Sequence, residues 1–218
     1  MGHPIATTVT TIAGVANGIA TSQSLPFAGA LTLNGSLVSG GVATLDAPRR
    51  IAITSAGNDS GITWTITGTA RSQQNGVVQS ETIKGATLGN TVYTTQDFAT
   101  VTSIVASGAT ASTVTAGTNG VASGPWVPWD TQTVDFQVSV YGTVLSAAPP
   151  TWQLDYTYDD VFGTWLPAGV PFPRALTSQT LVGLSGTGEG QLTNPVRATR
   201  LTLTAYGSAQ LIQQQQGT

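Results

Sequence analysis

Cysteine is absent from the 218 residues, which excludes disulfides, thiolate metal centres and cysteine nucleophiles together. Charge is nearly as scarce. Asp, Glu, Lys and Arg make up 8% of the chain, against roughly a quarter in an ordinary soluble domain. Lys84 is the only lysine, and seven basic against ten acidic residues leave a net charge of -3. That leaves no electrostatic footprint for nucleic acid, whose binding rests on neutralised phosphates. His3 is the only histidine and lies near the start, so a Ser-His-Asp triad or a multi-histidine metal site has no centre. No run approaches eighteen apolar residues, the signature of a spanning helix, and MGHPIATTVTT lacks the basic region of a signal peptide. The expectation is a non-enzymatic chain with no cofactor, no metal, no nucleic acid and no membrane partner.

What is present is apolar and neutral. Hydrophobic residues reach 40%, so the wet surface must come from Thr, Ser, Gln, Asn and Gly. Disordered chains combine low hydrophobicity with high charge, and this one has neither. The length suffices for one large or two ordinary domains, each able to bury a core.

The stretch from Arg49 to Ser107 shows the organising pattern. Ile62, Trp64 and Ile66 alternate with Thr63, Thr65 and Thr67, the period of a strand with one dry and one wet face. RSQQNG interrupts the run and Val77 to Ile83 resumes it, which predicts a hairpin with a loop longer than two residues. Further strands are expected near 30–33, 36–45, 49–54, 91–95, 100–106 and 112–116, at sandwich-like spacing. Asn34-Gly35 is a two-residue hairpin signal between Leu31-Leu33 and Leu37-Val38.

The full expectation is all-β, with two tandem antiparallel β-sandwich domains of jelly-roll or Ig-like kind. Residues 29–122 form the first and 131–218 the second. Residues 1–28 read either as an extended arm or edge strand seeking a partner surface, or as a mobile terminus. SGPWVPWD, 123–130, is the linker candidate, because Pro125 and Pro128 bar it from a central ladder. Trp126 and Trp129 within it are either a sugar-stacking platform, an interface anchor, or a plug in the seam between domains.

In the second domain Val134, Phe136, Val138 and Val140 alternate with Asp135, Gln137, Ser139 and Tyr141, which places the latter set outside. Trp152, Leu154, Tyr156 and Tyr158 repeat the device, with Gln153, Asp155, Thr157 and Asp159 outside. VFGTWLPAGVPFPRA, 161–175, is a proline-rich loop suited to partner contact and contains Trp165, Pro171 and Arg174. A closing hairpin is expected between Ala198–Ala205 and Ala209–Ile212, turning at Tyr206-Gly207-Ser208.

Chemistry-bearing patterns are weak. Asp159-Asp160 is the only adjacent carboxylate pair, and strand neighbours point to opposite faces, so a solvated strand end outweighs acid–base or calcium chemistry. GLSGTGEG, 183–190, precedes no helix that could carry a phosphate, and reads as a flexible loop. Arg197 and Arg200 sit three apart, on opposite faces of a strand. One of them should be partly buried against an acid, with Asp155 and Asp135 as the candidates.

The run from GALTLNGSLVSGGVATLDAPRRIAITSAGNDSGITWTITGTA through ETIKG to FATVTSIVASGATASTVTAGTNG resembles a family of tailed-bacteriophage virion structural proteins. The resemblance extends more loosely into TVDFQVSVYG, QLDYTYDDV and NPVRATRLTLTAYGSAQL, so it covers most of the chain. It implies a component of the particle, made in the host bacterial cytoplasm. The expected role is capsid decoration by a homo-oligomer, a trimer first, bound to the major capsid protein or other virion proteins. A head–tail junction or tail position is the alternative, and a carbohydrate-binding module using Trp126, Trp129 and Trp165 is the alternative of another class. The interface candidates are Trp126, Trp129, Trp165, Pro171, Arg174, Arg197 and Arg200.

Overall fold

A computed structural model describes residues 3–69, 78–132, 135–147, 150–161 and 175–216. All named elements are strands, and every pairing between them given below is antiparallel. In chain order they are β1 (Ile5–Thr11), β2 (Ala20–Gln23), β3 (Gly29–Ala30), β4 (Val38–Ser39) and β5 (Val42–Ser55). There follow β6 (Thr63–Thr69), β7 (Val78–Lys84), β8 (Thr91–Tyr93), β9 (Phe98–Ala106) and β10 (Val114–Ser123). The remainder are β11 (Val127–Pro128), β12 (Gln137–Val144), β13 (Trp152–Thr157), β14 (Leu176–Thr177), β15 (Gly188–Leu192), β16 (Ala198–Leu203) and β17 (Gly207–Gln216).

The chain divides into two compact units, but not in tandem. The described residues from Gly14 to Asn119 form a central unit, while those up to Ala13 join those from Gly120 onward in a split unit. The boundaries expected at 28/29 and at a 123–130 linker are thereby replaced. Residues 5–11 are a strand of the split unit, paired with β17 from Ile5↔Gln213 to Thr11↔Gly207. The segment after Gly14 folds into the central unit, where the Thr118 N–H donates to the Val15 carbonyl (3.0 Å) and the Ile19 N–H to Ala116 (3.0 Å). The chain leaves the central unit within β10 itself, so no free linker is needed.

In the central unit β6 pairs with β7 from Thr63↔Lys84 to Thr69↔Val78 and with β9 on its other side. The predicted alternation holds, with Trp64 and Ile66 fully buried. They pack with Ile19, Leu31, Ile51, Ile53, Phe98, Val101 and Ile104 in one core. Each such side chain contributes about 1.5–3 kcal/mol on burial. On the opposite face the hydroxyls bridge strands: Thr65 to Thr82 at 3.0 Å, Thr67 to Ser80 at 3.4 Å and Thr69 to Thr100 at 2.6 Å. Threonine gives that face β-branched stiffness and hydrogen bonding without charge. The RSQQNG loop lies outside the described residues.

Asn34-Gly35 does not turn a hairpin. β3 pairs with β9 and β4 with β5, so the two runs flanking it go to different neighbours. Instead the Asn34 side-chain carbonyl accepts from the Thr21 N–H and hydroxyl, each at 2.9 Å. Gly35 lies so close to the Gly18 backbone that any Cβ would overlap it. The glycine serves a close approach of two chains.

β5 runs fourteen residues through Asp46-Ala47-Pro48, with a register shift against β9 between Thr44 and Arg49. There Arg49 is 1% exposed. Its guanidinium holds Asp46 at 2.6 Å and donates to the Asn119 carbonyl at 3.0 Å. Asp46 keeps 31% side-chain exposure, so Arg49→Ala loses the hydrogen bonds of the buried guanidinium without stranding a buried charge, and is expected to cost about 2 kcal/mol. Arg49→Lys should recover little, since an ammonium cannot reproduce the fork. Urea unfolding followed by circular dichroism reads both, and an unchanged midpoint in Arg49→Ala would show the pair to be idle.

The split unit has two layers. One is a four-stranded sheet in the order β1-β17-β12-β15. The other joins β14, β13, β16, β11 and the end of β10. Val9, Leu211, Ala209, Val138 and Val140 are buried in the first layer, and Trp152, Leu154, Leu201 and Leu203 in the second. β1 and β17 pack across from β16. Gly142 of β12 is buried where a Cβ would overlap the six-membered ring of Trp152.

The closing hairpin is not formed. β16 pairs with β13 and β17 with β1 and β12, so the chain changes layers between Leu203 and Gly207. Gly207, at φ 143°, makes the corner in a backbone region closed to other residues. GLSGTGEG is likewise more than a loop, because Gly188–Leu192 pairs with β12 from Gly142↔Gly188 to Val138↔Leu192.

Candidate functional site

β13 departs from simple alternation. Leu154 and Trp152 are buried as expected, but Asp155 (3% exposed) and Thr157 are buried too, on the face expected to be wet. The reason is the neighbour that the register supplies. Asp155 stands opposite Arg200 of β16, and the guanidinium approaches its Oδ2 to 3.5 Å. The Thr202 hydroxyl donates to the same oxygen at 2.6 Å, while Oδ1 accepts from Thr177 Oγ1 (3.0 Å) and Gln153 Nε2 (2.8 Å). Arg200 also donates to Ser123 Oγ at 3.0 Å. Trp126 covers the guanidinium, whose carbon lies 4.6 Å from the ring centroid. A planar cation between a carboxylate and an indole face combines charge-assisted hydrogen bonding with cation–π attraction.

Of the two acids open to Arg200, Asp155 is the partner. Asp135 is exposed and sits at φ 57°, just before β12 begins. Arg197 has its side chain exposed, while its backbone accepts from the Trp129 N–H (2.9 Å) and donates to the Thr157 carbonyl (2.8 Å). Trp165, Pro171 and Arg174 lie outside the described residues.

The two tryptophans of the expected linker are interior. Val127–Pro128 pairs with β16, an edge placement that proline permits. Trp126 packs with Val161 and Ala198 and is 5% exposed. Trp129 is 8% exposed, and its indole N–H donates to Thr199 Oγ1 at 2.7 Å, which in turn bonds Gln213. Neither ring offers the open face that stacking on a sugar requires.

An exposed aromatic does occur elsewhere. The outward side chains of the four-stranded sheet follow from register: Tyr141 faces Ile212 on one side and Glu189 on the other. Ser139 likewise lies between Gln214 and Gln191. These six border an open groove of about 660 Å³, and Tyr141 is 42% exposed. The alternation of β12 placed Tyr141 and Ser139 outside. What it could not supply was the strands beside them, which come from residues some fifty to seventy positions later in the chain. Among the described residues no three His, Cys, Asp or Glu side chains gather into a metal-ligating group.

The chain matches no protein-family model and no curated protein. Among solved structures, it is similar to a candidate secreted protein from Parabacteroides distasonis, at 10% identity and TM-score 0.23, covering 99% of this chain and 90% of the other. It is also similar to the stem and receptor-binding domain of the spike protein P1 of bacteriophage PM2. That match has 11% identity and TM-score 0.16, covering 98% of this chain and 97% of the other. At such scores neither likeness carries an argument about fold or role.

Proposed function

We propose that this chain is a non-enzymatic structural component of a bacteriophage particle, a decoration protein that binds the assembled head and reinforces it. The observation that carries this reading is the combination of low charge with sheet edges. β1 and β15 end the four-stranded sheet and β7 ends the central unit's β9-β6-β7 run, and the faces beside them bear Thr, Ser and Gln. Such surfaces bury against neighbours without stranding charge, and an edge strand can extend a partner's sheet. The sequence resemblance to tailed-phage virion proteins supports the same assignment. On this reading each unit is a sandwich module of jelly-roll or Ig-like kind, and the working form is a symmetric homo-oligomer, a trimer at a three-fold position of the shell. Binding only to the assembled state stabilises that state by mass action.

The test is the mass of the purified protein by light scattering, followed by mixing with empty heads lacking it. A trimer that sediments with heads and raises their unfolding temperature is the expected result. A monomer or large ring that ignores the heads would remove decoration and favour the head–tail junction or tail.

A further inference from the structure

The groove on the four-stranded sheet gathers an exposed aromatic ring and several neutral polar groups in one place. Its floor holds one aromatic ring, Tyr141, with Ile212 beside it. Around them stand two amides, Gln191 and Gln214, the Glu189 carboxylate and the Ser139 hydroxyl, which accepts from Gln216 Nε2 at 3.1 Å and keeps its own proton to donate. No lysine or arginine is among the residues bordering it. Strands lie about 4.8 Å apart and alternate residues on one strand about 6.8 Å apart, so these groups form a flat lattice of donors and acceptors around an aromatic centre.

That chemistry selects among occupants. An anionic ligand would meet a carboxylate and no cation, which excludes nucleic acid and sulfated or phosphorylated polymers. A divalent cation would find one carboxylate where hard cations gather six or more oxygens. A second copy of the chain would need about 800 Å² of well-packed surface from each partner, and the apolar part of this groove that reaches solvent is three side chains, Tyr141, Ile212 and Pro4. A neutral, polyhydroxylated ligand matches on every count. The C–H face of a pyranose is apolar and flat, suited to an aromatic ring with a polar rim. Its hydroxyls act as both donors and acceptors, which amides and hydroxyls can answer in kind. A carboxylate directly opposite the ring can accept from two neighbouring hydroxyls at once.

We propose that this groove binds a neutral oligosaccharide, with Tyr141 stacking on a sugar ring and Glu189, Gln191, Gln214 and Ser139 bonding its hydroxyls. The site is distinct from Trp126 and Trp129 and does not depend on where the protein sits on a particle.

Native-gel affinity electrophoresis of the full chain tests this, with dextran, mannan, glycogen, galactan and mixed-linkage β-glucan as neutral probes and heparin as the anionic comparator. Retardation by at least one neutral polymer and none by heparin is expected. Tyr141→Ala should weaken it by about tenfold, the scale of one lost aromatic contact, whereas Tyr141→Phe should retain it. Glu189→Gln reads the hydroxyl contact independently, with a weaker interaction expected and an unchanged circular dichroism spectrum. Retardation by none of the neutral polymers, retardation by heparin alone, or binding indifferent to Tyr141→Ala would each overturn the proposal.

Discussion

Gly142→Val is expected to destabilise the protein by about 3–5 kcal/mol, the scale of losing a buried aromatic altogether. The side chain has nowhere to go. A Cβ at Gly142 would overlap three atoms of the Trp152 ring, and Trp152 is pinned from both ends. Its backbone exchanges hydrogen bonds with Leu184 (2.8 and 2.9 Å), and its indole N–H donates to the Gly186 carbonyl at 2.8 Å. The ring is fully buried, so displacing it forfeits its packing as well as its hydrogen bond. Urea denaturation should show the loss, and Trp152→Leu placed beside Gly142→Ala should cost less than the two single changes summed. Strict additivity would mean that the glycine is small for some other reason.

Asp155→Ala should be nearly as damaging, at about 3–5 kcal/mol. Four donors converge on that carboxylate, and Arg200 is only 13% exposed, so the change takes from a largely buried cation the carboxylate that faces it. The informative comparison is Asp155→Leu with Arg200→Met. Replacing both charges with apolar side chains of similar size is often neutral or better, and methionine can still lie against Trp126. The double variant is therefore expected to be more stable than Asp155→Ala alone. If it were less stable, the pair would contribute net stability and the desolvation argument would fail here.

Which faces are wet was legible in the chain wherever alternation was clean, as in Thr63–Thr69 and Phe136–Val140. Which strands are neighbours was not. Leu201 and Leu203 alternate as Ala209 and Leu211 do, and that pattern serves equally for two strands of one hairpin or for strands in opposing layers. Only a residue that tolerates φ 143°, Gly207, marks the corner, and a glycine in sequence reads as a turn of any kind. Asp155 failed the wet/dry reading for a related reason. A carboxylate looks solvent-facing until its cross-strand partner is known, and Arg200 lies 45 residues away. Trp126 and Trp129 looked like linker anchors because prolines flank them, yet proline at a strand edge is as permissible as proline in a linker. The Tyr141 groove had no linear signature at all, since its residues come from three strands and from Pro4 just before β1.

The split of one unit around the other has a consequence for synthesis. Thr7 and Leu211 are partners 204 positions apart, so at translation rates of 5–20 residues per second β1 waits roughly 10–40 s for β17. The central unit's residues are all present once Asn119 has emerged, well before β17 is made. β17 lies between β1 and β12 in sheet order, which makes it the last piece on which both depend. A nascent chain halted before residue 207 would hold a finished central unit and a first strand without its partner. Only a chain carried through β17 can present the groove around Tyr141 and Ile212, so that surface reports on synthesis at least that far.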